Sequence, residues 1–200
     1  KNQDFEQPGN FNKLDIIRKF NIKLGKSGDA DLIKPLFRSK LITTSTPNYS
    51  VPVKVDIRGS RQLILVVEDG GNSYACDWAN WENPVIKGKD WEKPLTELQW
   101  KSATTEWGHV YVNKNAGGKP MRSNGRSIQS GIGTHSNSTI VFDLPDGSLS
   151  FEATGCLDEG GTNQADGKST SVIFAVYDKT PNNNAGGLER HPDLAVSGLK

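Results

Sequence analysis

The sequence predicts an all-β fold, and three observations predict it. Glycine (21 residues) and proline (10) are frequent and lie among Asn, Asp and Ser, the composition that punctuates many short strands rather than long helices. Clean two-residue alternation recurs: Val51, Val53, Val55 and Ile57 against Pro52, Lys54 and Asp56; Ile140, Phe142 and Leu144 against Val141 and Asp143; Val172, Phe174 and Val176 near the end. The longest apolar run, Leu63 to Val67, suits a central strand and is far short of the roughly 20 residues that a membrane helix needs.

Taken in order, Asn10 to Lys19 has Phe11, Leu14 and Ile17 at helical spacing and Phe20 to Leu24 alternates as a strand, within a poorly patterned N-terminal extension, 1–28. Leu36 to Ile42 is the next strand. Val51 to Ile57 follows, with Pro52 near its start, where a missing amide is tolerated. Arg58-Gly59-Ser60 turns the chain into Gln62 to Glu68, and Asp69-Gly70-Gly71-Asn72 ends that strand. An aromatic, polar loop reaches Pro84, and a linker spans 87–94. Gly108 to Val112 is a strand candidate flanked by Trp100 and Trp107, which read as core because large aromatics dominate cores. Gly131 to Leu144 reads as a glycine-punctuated turn passing into a strand. With the Pro145-Asp146-Gly147 turn and the return through Leu149, Phe151 and Ala153, Ser138 to Thr154 reads as a hairpin. A loop from Gly155 to Lys168, the strand Val172 to Tyr177 and a polar tail, 181–200, complete the chain.

Charge and motifs exclude more than they select. Lys and Arg total 24 against 23 acids, a formal charge of +1 with no long basic block, so neither nucleic acid nor an anionic membrane is an expected partner, and no membrane insertion is expected. Hydrolase elbows, a P-loop, HExxH, paired CxxC and an EF-hand loop are absent, and Gly131-Ile132-Gly133 precedes a strand instead of following one. His109, His135 and His191 do not fall at ligand spacing. Cys76 and Cys156 fit either two thiols or one bridge. The chain shows no charged start followed by an apolar stretch, so the expectation is a processed or excised part of an exported protein: secreted, periplasmic or cell-surface.

Two loops are rich in oxygen donors, one with Asp69, Asn72, Asp77 and Asn80, the other with Asp158 and Glu159. Calcium, which takes six to eight oxygens, is the metal such residues would hold, with Asp69, Asn72, Asp77 and Asp158 as candidate ligands; the alternative is ordinary turn chemistry. Trp78 stands among polar residues, and a ring beside amides and carboxylates is what a sugar site requires.

Several segments resemble the NPCBM/NEW2 domains, carbohydrate-binding modules of the family 51 type. Trp100-Lys101-Ser102-Ala103 with Trp107-Gly108 resembles that family's opening, Gly131 to Leu144 its GxGTHxxS strand, and Phe151 to Glu159 with Ser171 to Tyr177 its FxAxxGxDxE stretch and following strand. Val53 to Trp81 resembles its closing segment. Here that closing segment comes first, so the halves 29–86 and 95–180 are exchanged about 87–94. The economical reading is a circular permutant forming a single domain over 29–180; two truncated neighbours, or halves paired between chains, are the rivals. The resemblance implies a jelly-roll-like antiparallel β-sandwich, similar to galactose-binding domains, that binds carbohydrate without catalysis, galactose-type sugars first, alongside other modules of the same polypeptide. A structural or protein-interaction module on the same fold is the alternative. The resemblance also makes Leu36 to Ile42 a neighbour of Val172 to Tyr177. It places the sugar site where the loop before Ile140 meets the loop after Val67, with His135, Asp77, Trp78 and Asn80 on its wall.

Overall fold

The computed structural model describes residues 34–164 and 167–179. The expectations for 1–28 and for 181–200, His191 included, lie outside the described residues. The first strands are β1 (Phe37–Arg38), β2 (Ile42–Thr43), β3 (Ser50–Asp56), β4 (Gln62–Asp69), β5 (Trp78–Lys87), β6 (Glu92–Pro94) and β7 (Ser102–Thr105). Then come β8 (Tyr111–Val112), β9 (Arg122–Ser123), β10 (Arg126–Ser127), β11 (Gly131–His135), β12 (Ser138–Asp143), β13 (Ser150–Leu157), one helical turn α1 (Glu159–Thr162) and β14 (Ser171–Tyr177). One sheet runs β1-β14-β4-β12-β7 with β2 also on β14; the other runs β3-β13-β5-β11-β8 with β6 also on β5. Every pairing is antiparallel, and β9 with β10 forms a separate ribbon. The molecule is an antiparallel β-sandwich.

The core is where the alternating faces meet. Leu63, Leu65, Val67, Ile140, Phe142, Val172, Phe174 and Val176 from one sheet pack on Val53, Val55, Trp81, Ile86, Ile132, Phe151 and Leu157 from the other. The Trp81 ring meets Phe174 edge-on at 5.0 Å, joining the two layers at their middle. As expected, β4 is central, held between β14 and β12, and Pro52 sits on an edge strand. The neighbourhood expected for Leu36 to Ile42 is also observed: Phe37 faces Val176, and Ile42 faces Val172.

Four local expectations are corrected. Ser138 to Thr154 is not a hairpin, because β12 lies in the first sheet and β13 in the second, and the turn at 145–147 crosses between them. Alternation places Phe142 and Phe151 in the core either way, so the pattern cannot separate a hairpin from a crossing. The stretch to Pro84, expected as a loop, contains the start of β5, a central strand. Its alternation is broken by Asn83 at φ 48°, opposite a register shift between Glu152 and Thr154. The expected linker at 87–94 is the turn of the β5–β6 hairpin, closed by the Gly88 amide on the Trp91 carbonyl at 2.8 Å. Gly131 to His135 is strand rather than turn. A Cβ on Gly133 would strike the Lys114 carbonyl, so glycine there lets the loop from Asn113 lie against the sheet.

Candidate aromatic site at one pole

β4 ends, β5 and β14 begin, β11 turns into β12, and β7 and β13 end at one pole of the sandwich, so their loops converge there. The β4–β5 loop brings Tyr74, the segment after β7 brings Glu106 and Trp107, the β11–β12 turn brings Ser136 and Asn137, and β5 opens with Trp78. Trp78 and Trp107 lie with centroids 4.8 Å apart; His135 sits 5.5 Å from Trp107, 6.4 Å from Trp78 and 6.1 Å from Tyr74. Tyr74 and Trp107 are 48% and 46% exposed, Trp78 is partly buried and His135 is 2% exposed. The exposed rings of the group are therefore Trp107 and Tyr74, each packed on His135. Trp78 backs Trp107, resting on Gly160 and Gly161 of α1, and a Cβ on Gly160 would collide with the Trp78 ring.

The polar rim is organised by Asn137. Its amide nitrogen Nδ2 donates to Glu106 Oε2 at 2.8 Å and to Asp69 Oδ2 at 3.1 Å, and its Oδ1 accepts from the Asp69 backbone at 2.9 Å. Its own backbone donates to Glu106 Oε2 at 3.2 Å and accepts from the Glu106 amide at 3.1 Å. Beneath the rim, His135 donates from Nδ1 to the Ser136 carbonyl, which leaves Nε2 as an acceptor with no partner among the described residues. Burial lowers the affinity of His135 for a second proton, so the ring stays neutral.

Of the residues expected on the wall, His135 and Trp78 come together, while Asp77 and Asn80 are corrected to buried positions, both 0% exposed. Asp77 accepts the Ser171 amide at 2.7 Å and the Ser136 hydroxyl at 3.0 Å, tying β14 to the β11–β12 turn, and burial pushes its carboxyl up to about 6. Asn80 donates to Asp158 Oδ2 at 2.8 Å beneath the loop from Asn113 to Met121. Asp158 also accepts from Asn115 Nδ2, the Arg122 amide and the Gly160 amide, so four N–H donors fill its acceptor directions.

The four candidate calcium ligands do not assemble into one set. Asp69 oxygens accept from Gly71 and Asn137, and Asn72 bonds Ser169 and Ser171, while Asp158 is saturated by protein donors. Among the described residues no group of three or more His, Cys, Asp or Glu could hold a metal ion. Cys76 and Cys156 are both free; Cys156 packs under Met121 and Ile128, and burial pushes its thiol up to about 12.

Sequence reasoning missed Tyr74, Glu106, Trp107 and Asn137, and assigned Trp107 to the core. Its neighbours Glu106, Gly108 and His109 are exposed, and that polar flank was the available signal. Trp100 does pack against the core as expected.

A family model described as NPCBM/NEW2 domain matches residues 19–87 and 92–192. No curated protein matches the chain, and no solved structure does. Among the described residues no helix is long and apolar enough to cross a membrane.

Proposed function

Because the chain belongs to the NPCBM/NEW2 domain family, a family of carbohydrate-binding modules, we propose that it binds glycans non-catalytically at the Trp107–Tyr74 surface, as one module of an exported protein. The carrying observation is that the two exposed rings, Trp107 and Tyr74, lie at the same pole as an amide flanked by two carboxylates. Sugar rings present apolar C–H faces that stack on aromatics, and hydroxyls that need fixed donors and acceptors; both are supplied within one pole of the fold.

Galactose-type sugars are the first ligands to try, on the family resemblance. The non-catalytic reading is supported by the placement of the two nearby carboxylates. Asp69 and Glu106 flank the Asn137 amide itself, which occupies the space where a glycosidic bond would have to lie between acid and base. The permuted order of the family's segments is supported by the pairing of β1 and β2 with β14, strands that the unpermuted order would make consecutive.

The test is a titration with immobilised galactosides and a wider glycan array. Trp107→Ala weakens binding by about 1–3 kcal/mol through loss of the stacking face. A Trp107→Ala variant that stays folded and binds as tightly as the parent removes the site. A parent that binds no glycan at all leaves the surface to a protein partner.

A further inference from the structure

Resting on that carbohydrate reading, we infer that the site selects sugars carrying a cationic amine, such as galactosamine, over their neutral and acidic counterparts. The net charge of the chain is only +1, so any such preference is local. Locally, two carboxylates meet at one amide. Both Asp69 and Glu106 donate their charge to the rim, and the single Asn137 amide nitrogen holds one oxygen of each, placing those oxygens within about 6 Å of one another. The ion pairs among the described residues lie elsewhere and include neither carboxylate. An amide hydrogen bond orients a carboxylate but does not neutralise it, so two like charges are left side by side.

Three further features meet that charge. Trp107 follows Glu106 directly in the chain, and Trp107 and Tyr74 each pack on His135, so exposed aromatic rings, negative at their faces, share this pole with the carboxylates. His135 contributes no positive charge, since burial keeps it neutral. It is 98% buried, and its Nε2, unpartnered among the described residues, is an acceptor in the midst of the aromatic group; a ligand N–H donor would complete it. His135 Nε2 and the two carboxylates are thus acceptors turned to one place, beside the indole N–H groups of Trp78 and Trp107 and the Tyr74 hydroxyl. An ammonium brings donors and a positive charge to those acceptors, so it suits the two carboxylates and His135 Nε2 better than a hydroxyl and much better than a carboxylate.

The experiment compares galactose, galactosamine and galacturonate by calorimetry at neutral pH, with glucose and glucosamine as a second pair. At low salt, galactosamine binds about five-fold more tightly than galactose, galacturonate binds more weakly than either, and added salt shrinks the amine's advantage. Glu106→Gln and Asp69→Asn keep an oxygen for the Asn137 amide while removing charge, and each brings the galactosamine-to-galactose affinity ratio toward one. Thermal melting identifies any variant that fails to fold, and the salt series on the parent stands independently of both variants. Galactose and glucose binding as tightly as their amino counterparts overturns the inference and leaves carbohydrate binding intact. A simple alkylamine that binds as well as galactosamine overturns it too, since the sugar then contributes nothing. Binding by none of these sugars overturns the inference, while the carbohydrate reading itself falls only if the wider glycan array is also blank.

Discussion

Asp77 and Asp158 lie at the same pole, are almost equally buried and are solvated by the protein very differently. Asp158 receives four N–H donors, two on each oxygen, and is the N-cap of α1 through the Gly160 amide. Asp77 receives one N–H and one hydroxyl, and burial outweighs them, raising its carboxyl to about 6. Burial alone therefore does not set the cost of an ionised carboxylate. What decides it is how many fixed donors replace the lost water, and that number follows from which loops the fold brings over each residue. Asp158 is a staple: Asn80 from β5, Asn115 from the covering loop, Arg122 from β9 and Gly160 from α1 all converge on it. Asp77 is a tie with capacity left over.

The same substitution at the two positions tests the contrast most sharply. Asp158→Asn turns one acceptor oxygen into a donor that faces two existing N–H donors, so two hydrogen bonds are lost and a buried repulsion takes their place. Destabilisation of about 3–5 kcal/mol is expected in chemical denaturation. A loss below about 1 kcal/mol would mean that the loop from Asn113 to Met121 moves away and rehydrates the site, and the staple description would fail.

Asp77→Asn is expected to act in the opposite direction. The amide mimics the protonated acid: its oxygen still accepts from Ser171 and its nitrogen can donate to the Ser136 hydroxyl. Because the native carboxyl sits near 6 against an ordinary value of 3.8, the folded state binds more protons than the unfolded chain between those limits. Its contribution to stability is accordingly largest below the unfolded value and is lost as pH rises through about 6. The variant gains up to about 3 kcal/mol relative to the parent at neutral pH, and the gain nearly vanishes near pH 4. Melting curves of both proteins from pH 4 to 7 check this, since subtracting them cancels the surface carboxylates. A difference that does not vary with pH would show that Asp77 is ionised at little cost.

The contrast also explains how far the sequence could be read. β4 and β14 were legible because their apolar patterns depend only on which faces are buried, and those faces need no distant partner to define them. The β12–β13 crossing was not, since a two-residue period reports burial and says nothing of which sheet does the burying. At the site, Trp78 and His135 were legible as an aromatic and a histidine among polar residues. Asp77 and Asn80 looked like surface groups because the residues that cover them, Ser171, Ser136, Asn115 and Asp158, lie far away in sequence. Trp107 failed in reverse: tryptophan composition argues for core, but the loop after β7 stands clear of the sandwich and Trp78 already fills the space below it.

The smallest expected effect concerns calcium, and it too turns on the two aspartates. A cation needs lone pairs aimed at a common point, and Asp158 has none to spare because every direction is taken by an N–H that would itself repel the ion. Asp77 has lone pairs left, with Asp69 near enough to raise its proton affinity further. Asp69, however, is oriented by Gly71 and Asn137, and two carboxylates fall well short of the six to eight oxygens that calcium takes. Replacing chelator with millimolar calcium is therefore expected to leave the melting temperature unchanged, because a ligand that binds the native state stabilises only as RT ln(1 + [L]/Kd). A rise that grows with calcium concentration would break the comparison, and Asp77→Asn would locate the fault. If the rise disappears in that variant, the spare lone pairs of Asp77 are a metal ligand, and the raised carboxyl is the signature of an empty cation site. If it persists, the ion binds elsewhere, and the difference between the two aspartates stands as one of hydrogen bonding alone.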